Sequence, residues 1–202
     1  MRIHERVQCR EFPCTDVRHE GYFIPHVAVQ PEAVSIVLIS EAAAPNARDN
    51  YYAQGEPLFA QTTVQAFRDA GADVSSIDDI LNLGVYLTTA VKCSKTGYAV
   101  KAETIHECSH LLEKELSQFP RLRAYLLMGD VAIKAVNAIA RRAGEGRVIP
   151  AGSTYKIRAQ PYFFRGARAF PSYLQAGPSF SIEKSKRRMI AQDIAAALSL
   201  TA

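Results

Sequence analysis

"RAYLLMGDVAIKAVNAIARRAG", residues 123–144, changes character at its seventh residue. Residues 123–129 read as a strand, and 130–144 read as a helix with Asp130 near its start. Working outward, the same alternation recurs. "SIVLIS" (35–40) is a short apolar run of strand type, followed by "PLFAQTTVQAFRDAG" (57–71) with Phe59, Val64, Phe67 and Ala70 at helical spacing. Pro57 opens that helix and Gly71 is placed to end it. "SIDDILNLG" begins with Ser76 and Asp79 in the manner of a capping box. "VYLTTAV" (85–91) is the next strand, and "AETIHECSHLLEKELSQF" (102–119) is an amphipathic helix. After residue 144, "TYKIRAQ" and "RAFPSYL" read as strands, and a last helix runs from about Ile182 to Leu198. Strands alternating with helices make βαβ units, so the expected fold is a single three-layer α/β/α domain over residues 1–202 with a mostly parallel sheet. Ligands bind such sheets beyond the carboxyl ends of the strands. That directs attention to the loops after Ser40, Val91, Gly129 and Tyr173.

The chain of 202 residues is 48% hydrophobic and 22% charged, an ordinary globular composition. It has no apolar run long enough to span a bilayer, and "MRIHERVQCREF" lacks the apolar core of a signal peptide. A cytoplasmic monomer with no membrane association is expected. The net charge of +4 is uneven: residues 1–140 hold 13 basic against 17 acidic side chains, and residues 141–202 hold 11 against 3. The basic segment is either a footprint for a polyanion or a solvated surface. Lys184, Lys186, Arg187 and Arg188 are its densest cluster. The glycine patterns of dinucleotide and P-loop sites are both absent.

Four cysteines are unusual for stable disulfides in a reducing compartment. They fall as Cys9 with Cys14, and Cys93 with Cys108. Four soft thiolates suit an iron–sulfur cluster or zinc, while Cys108 alone also reads as a small buried thiol on the apolar face of its helix.

"VLISEAAAP…GEPLF", "YLTTAVKC", a cysteine fifteen residues later, "YLLMGDVAIKAV" and "FPSYLQAGPS" occur in an order that resembles the uracil-DNA glycosylase superfamily, most of all its iron–sulfur branch, family 4. The resemblance spans about residues 9 to 198, and Lys92-Cys93 paired with Cys108 is its most specific element. It implies that Cys9, Cys14, Cys93 and Cys108 hold a [4Fe–4S] cluster, with zinc as the alternative, and that the partner is DNA. Four residues separate the first cysteine pair here, where the family usually has two.

Glycosidic cleavage in DNA needs an extruded base, a carboxylate near the sugar cation, donors facing the base oxygen and a stacking ring. Glu41 matches the glutamate of the family's first motif, and Asp49 lies near its following acidic positions. Tyr52 and Phe59 are candidate stacking rings. Ser40, Ala43 and Ala44 replace the family's Gly and Pro-Gly. Thr89 stands in place of an asparagine and offers one hydroxyl where an amide both donates and accepts. None of the five histidines lies beyond His110, so the last motif has lost its histidine, leaving Tyr173 and Gln175 as candidate base contacts. The expectation is a glycosylase acting on uracil or another deaminated or damaged base. The rivals are a non-catalytic iron–sulfur relative that binds DNA and an unrelated α/β nucleotide-binding enzyme.

Overall fold

The computed structural model describes residues 1–201. Six strands form one sheet: β1 (Val17–Arg18), β2 (Ile36–Ala43), β3 (Val85–Lys95), β4 (Ala124–Met128), β5 (Tyr162–Phe164) and β6 (Ala167–Ser172). Their spatial order is β1-β3-β2-β4-β6-β5. The inner four are parallel, with Ile36 opposite both Val85 and Ala124, and Ala124 opposite Arg168. The outermost strands β1 and β5 are antiparallel to their neighbours.

β2 is apolar on both sides because both sides are covered. Its alternate residues feed two cores. Val37 and Ile39 pack under α3 (Ala102–Leu116) and α4 (Asp130–Arg142), together with the N-terminal arm. Ile36 and Leu38 pack under α1 (Leu58–Asp69), α2 (Ile77–Asn82) and α6 (Lys184–Leu198). This is the three-layer arrangement expected from the sequence.

Local chemistry sets the element ends. α2 has the full capping box: Ser76 Oγ accepts from the Asp79 N–H at 3.1 Å, and the Asp79 carboxylate accepts from the Ser76 N–H at 3.0 Å. Hydrogen bonds to the Asp79 carboxylate from the Ser75 N–H and hydroxyl, joined by Ser76, pull the Asp79 pKa down to about 2. β5 and β6 join through Arg165 and Gly166, both at positive φ (49° and 79°), as a two-residue hairpin of right-handed twist requires.

Two expectations are corrected. β3 does not end at Val91 but runs on through Lys92 and Cys93 to Lys95, because β1 pairs antiparallel with Ser94 and Lys95. Residues 154–157 are not a strand but a one-turn helix, α5 (Thr154–Ile157). The following Arg158 explains the difference: its guanidinium donates to the Met189 carbonyl at 2.8 Å and to Asp193 at 2.6 Å, both on α6. That anchors the segment to a helix rather than to a sheet edge.

Candidate functional site

Beyond the carboxyl ends of the parallel strands lies a cleft of about 590 Å³. Glu41 from β2 and Lys95 from β3 form its floor, joined by an ion pair of 2.8 Å. Gly129, the residue between β4 and α4, has φ +100°, and a Cβ there would lie 2.6 Å from a Glu41 carboxylate oxygen. Only glycine leaves room for Glu41 to lie against the start of α4. The cleft also takes in Asp130 and Lys134 of α4, paired at 2.5 Å, and Glu183 and Lys186 at the start of α6, paired at 2.6 Å. Each lysine is therefore shared with a carboxylate. The hydrogen bond to Glu183 also raises the Lys186 pKa. At the rim, Tyr98 is 99% exposed and Ile182 is 77% exposed.

Of the two candidate carboxylates, Glu41 reaches the cleft. Asp49 does not line it, and accepts instead from the Leu58 N–H at 3.3 Å, at the start of α1. Among the candidate base contacts, Tyr173 lines the cleft, with the Lys186 ammonium 5.5 Å from its ring centre. Thr89 is buried and donates to the Val91 carbonyl at 2.9 Å. Phe59 is buried in the core under α1.

Gln175 is fully buried beside the cleft rather than in it. Its amide nitrogen donates to Tyr51 at 2.8 Å, Ser40 at 3.2 Å and Thr63 at 3.3 Å, and Ser40 and Tyr51 also bond each other. Burial pushes the Tyr51 phenol up to about 12, so it stays protonated. Ser40 thus carries a hydroxyl that completes a buried polar network. Tyr52 lies on another side, lining a recess of about 760 Å³ with His26, Pro57 and Val64. Its hydroxyl is held by both the carbonyl and the N–H of Leu87, at 3.1 and 3.0 Å.

The residues that sequence reasoning missed are Lys95 and Lys134. Lys95 had a readable signal: it lies two residues beyond Cys93, at the end of a strand where α/β sheets place their ligands.

The four cysteines lie on the side of the sheet covered by α3, α4 and the N-terminal arm. Cys9, Cys14 and Cys108 line a recess of about 580 Å³, and Cys93 is buried in the core that this recess borders. All four are free thiols. Burial, then the neighbouring cysteines, pushes Cys93 up to about 12; burial raises Cys108 to about 11, opposed by the Lys92 N–H. Among the described residues, no group of three or more His, Cys, Asp or Glu could hold a single metal ion. Four soft thiolates are the donor type that an iron–sulfur cluster or zinc takes.

Lys184 and Arg188 are exposed and have no carboxylate partner among the described residues. Arg187 is engaged twice, with Asp69 of α1 and 5.1 Å from the Phe180 ring centre. No helix among the described residues is long and apolar enough to cross a membrane.

The chain is 36% identical over 61 residues to a type-5 uracil-DNA glycosylase of Thermus thermophilus. That stretch is 30% of this chain and 28% of the relative, so the similarity spans under a third of either protein. No protein-family model matches the chain.

Proposed function

We propose that this protein belongs to the uracil-DNA glycosylase superfamily and excises uracil or another deaminated or damaged base from DNA. The observation that carries the reading is Glu41, a half-buried carboxylate on the floor of a cleft beyond the strand ends, taken with the partial similarity to a uracil-DNA glycosylase.

Cleavage begins with a nucleotide leaving the base stack and entering the cleft, at a cost of a few kcal/mol. As the N-glycosidic bond breaks, positive charge develops on the sugar and negative charge on the departing base; a water oxygen bonds to the sugar carbon, and the proton it gives up neutralises the base. Glu41 supplies the negative charge for the sugar, and Gly129 and Lys95 hold its carboxylate in place. The Lys95 ammonium, at 2.8 Å from Glu41, is a donor at the same floor for charge on the base. Asp49 lies outside the cleft and accepts from the Leu58 N–H at the start of α1. Exposed Lys184 and Arg188 at the start of α6 meet phosphates.

The reading includes a [4Fe–4S] cluster held by Cys9, Cys14, Cys93 and Cys108. Cys9 and Cys14 of the N-terminal arm, Cys93 of β3 and Cys108 of α3 would hold it, and bound there it would join the arm to the sheet and the helix.

A second reading, a DNA-binding relative without excision, is favoured by the pairing of every cleft lysine with a carboxylate and by the withdrawal of Gln175 into the core. Base release from a panel of single- and double-stranded lesions separates the two. Measurable release that falls at least about 10²-fold in Glu41→Gln supports excision. No release from any lesion, with DNA binding retained, leaves the second reading standing.

A further inference from the structure

At the opposite end of the sheet, where β2, β4 and β6 begin, lies a recess of about 900 Å³. Arg121 and Arg123 precede β4, and Arg168 opens β6; against these three arginines the recess holds one acid, Glu32. Arg121 and Arg123 are exposed and have no carboxylate partner among the described residues. Arg168 is fixed by backbone carbonyls, donating to Gln160 at 2.9 Å, Tyr162 at 3.0 Å and Ala169 at 3.1 Å. Its guanidinium therefore orients without being neutralised by a carboxylate. Phe163 lies opposite Arg168 in the β5–β6 hairpin, with that guanidinium 5.7 Å from its ring centre. Even so, Phe163 remains 62% exposed, on a short edge strand whose tight turn holds it in place.

We propose that this recess binds single-stranded nucleic acid, with a base stacked on Phe163 and the flanking phosphates paired with Arg121 and Arg123. An open aromatic face beside unpaired guanidinium groups is the combination that single strands use, since each base offers a ring face and each linkage a charge. A duplex keeps its bases stacked and offers none to Phe163. The site lies at the other pole from the cleft and stands independently of the glycosylase reading.

The test is fluorescence anisotropy with a labelled oligothymidylate of about ten nucleotides, within the usual span of such sites, titrated into the full chain between roughly 50 and 200 mM salt. In Arg121→Glu/Arg123→Glu, the logarithmic salt slope should fall by about 1.4, at about 0.7 per phosphate on a single strand. Phe163→Ala should weaken binding at least about fivefold, the lower end for one stacked base. Arg121→Gln/Arg123→Gln, milder for folding, should move the slope in the same direction. Base release from a lesion, measured on the same variants, should match the parent. Unchanged slope and affinity, or equal losses on duplex and single strand, would overturn the proposal. So would competition by thymidine monophosphate as effective as by the oligomer at equal phosphate concentration.

Discussion

Lys92 and Glu115 are both fully buried, and the Lys92 ammonium lies 2.5 Å from a Glu115 carboxylate oxygen. The other oxygen of Glu115 accepts from Tyr86 at 2.6 Å and Thr88 at 2.9 Å, so the charge is fully solvated by the protein itself. Removing one partner leaves an uncompensated buried charge. Glu115→Gln should therefore cost about 3–5 kcal/mol in urea denaturation. Lys92→Met combined with Glu115→Gln should recover most of that loss, because the amide oxygen still accepts from Tyr86 and Thr88. A double variant no more stable than Glu115→Gln would mean that the unpaired Lys92 charge is not what destabilises the single variant.

Gly129→Ala should disturb the cleft without touching its chemistry directly. The new Cβ has to displace the Glu41 carboxylate, and the backbone at φ +100° is strained for any side chain. A loss of about 1–3 kcal/mol is expected, with base release falling alongside it. Intact stability and activity would show that Glu41 has room to move.

Asp69 and Arg187 give a pH-dependent contact between α1 and α6. The hydrogen bond from the Arg187 guanidinium holds the Asp69 carboxyl below its usual range. The folded pKa is thus lower than the unfolded one. The contribution is present above the unfolded carboxylate pKa and is lost as pH falls through the folded value. Asp69→Asn should cost at most about 1 kcal/mol at neutral pH, as for a partly exposed pair, and should flatten the acid limb of stability against pH. A variant with the parent's acid limb would place that dependence elsewhere, for example at Asp79.

The start of α6 separates phosphate contacts from structural ones. Reversing Lys184 and Arg188 together should lower the salt slope of duplex binding by about 1.8, at about 0.9 per phosphate, and leave thermal unfolding unchanged. Arg187→Glu should instead lower stability, since its partner Asp69 would then face a like charge. The reverse pattern would exchange these roles.

The proposed cluster predicts that anaerobically purified protein is brown and carries about four irons per chain. Cys93→Ser should lose both colour and iron, and the N-terminal arm should become more open to proteolysis. Colourless parent protein with one zinc would replace the cluster with a single ion.

How much of this was legible in the sequence depends on the distance over which each signal acts. The helices and inner strands were readable because their patterns repeat within a few residues, and the Ser76–Asp79 cap is a contact three residues long. The extension of β3 to Lys95 was not, since it depends on pairing with Val17 and Arg18, far away in the chain. Thr154–Ile157 carries strand-like residues, yet its helix is anchored by Arg158 to α6, some thirty residues later. At the site, Glu41 was legible from its motif. The burial of Gln175 was not, because it required Ser40, Tyr51 and Thr63 to converge from three separate elements. Arg187 read as a free cation among four, and only the packing of α6 on α1 shows its charge already matched.

The outermost strands have a consequence for life at high concentration. A long, flat outer strand offers a row of free amides and carbonyls on which another chain can build, the first step toward aggregation. Here β1 is two residues long and β5 is three, each running against the direction of the inner four. An incoming strand would find far less backbone than the five or six residues of a common strand. β1 covers only Ser94 and Lys95 of β3, and further back that strand's outer edge is taken by a ring and by the N-terminal arm: the Tyr52 hydroxyl holds both the N–H and the carbonyl of Leu87, and the Phe23 N–H donates to the Lys92 carbonyl.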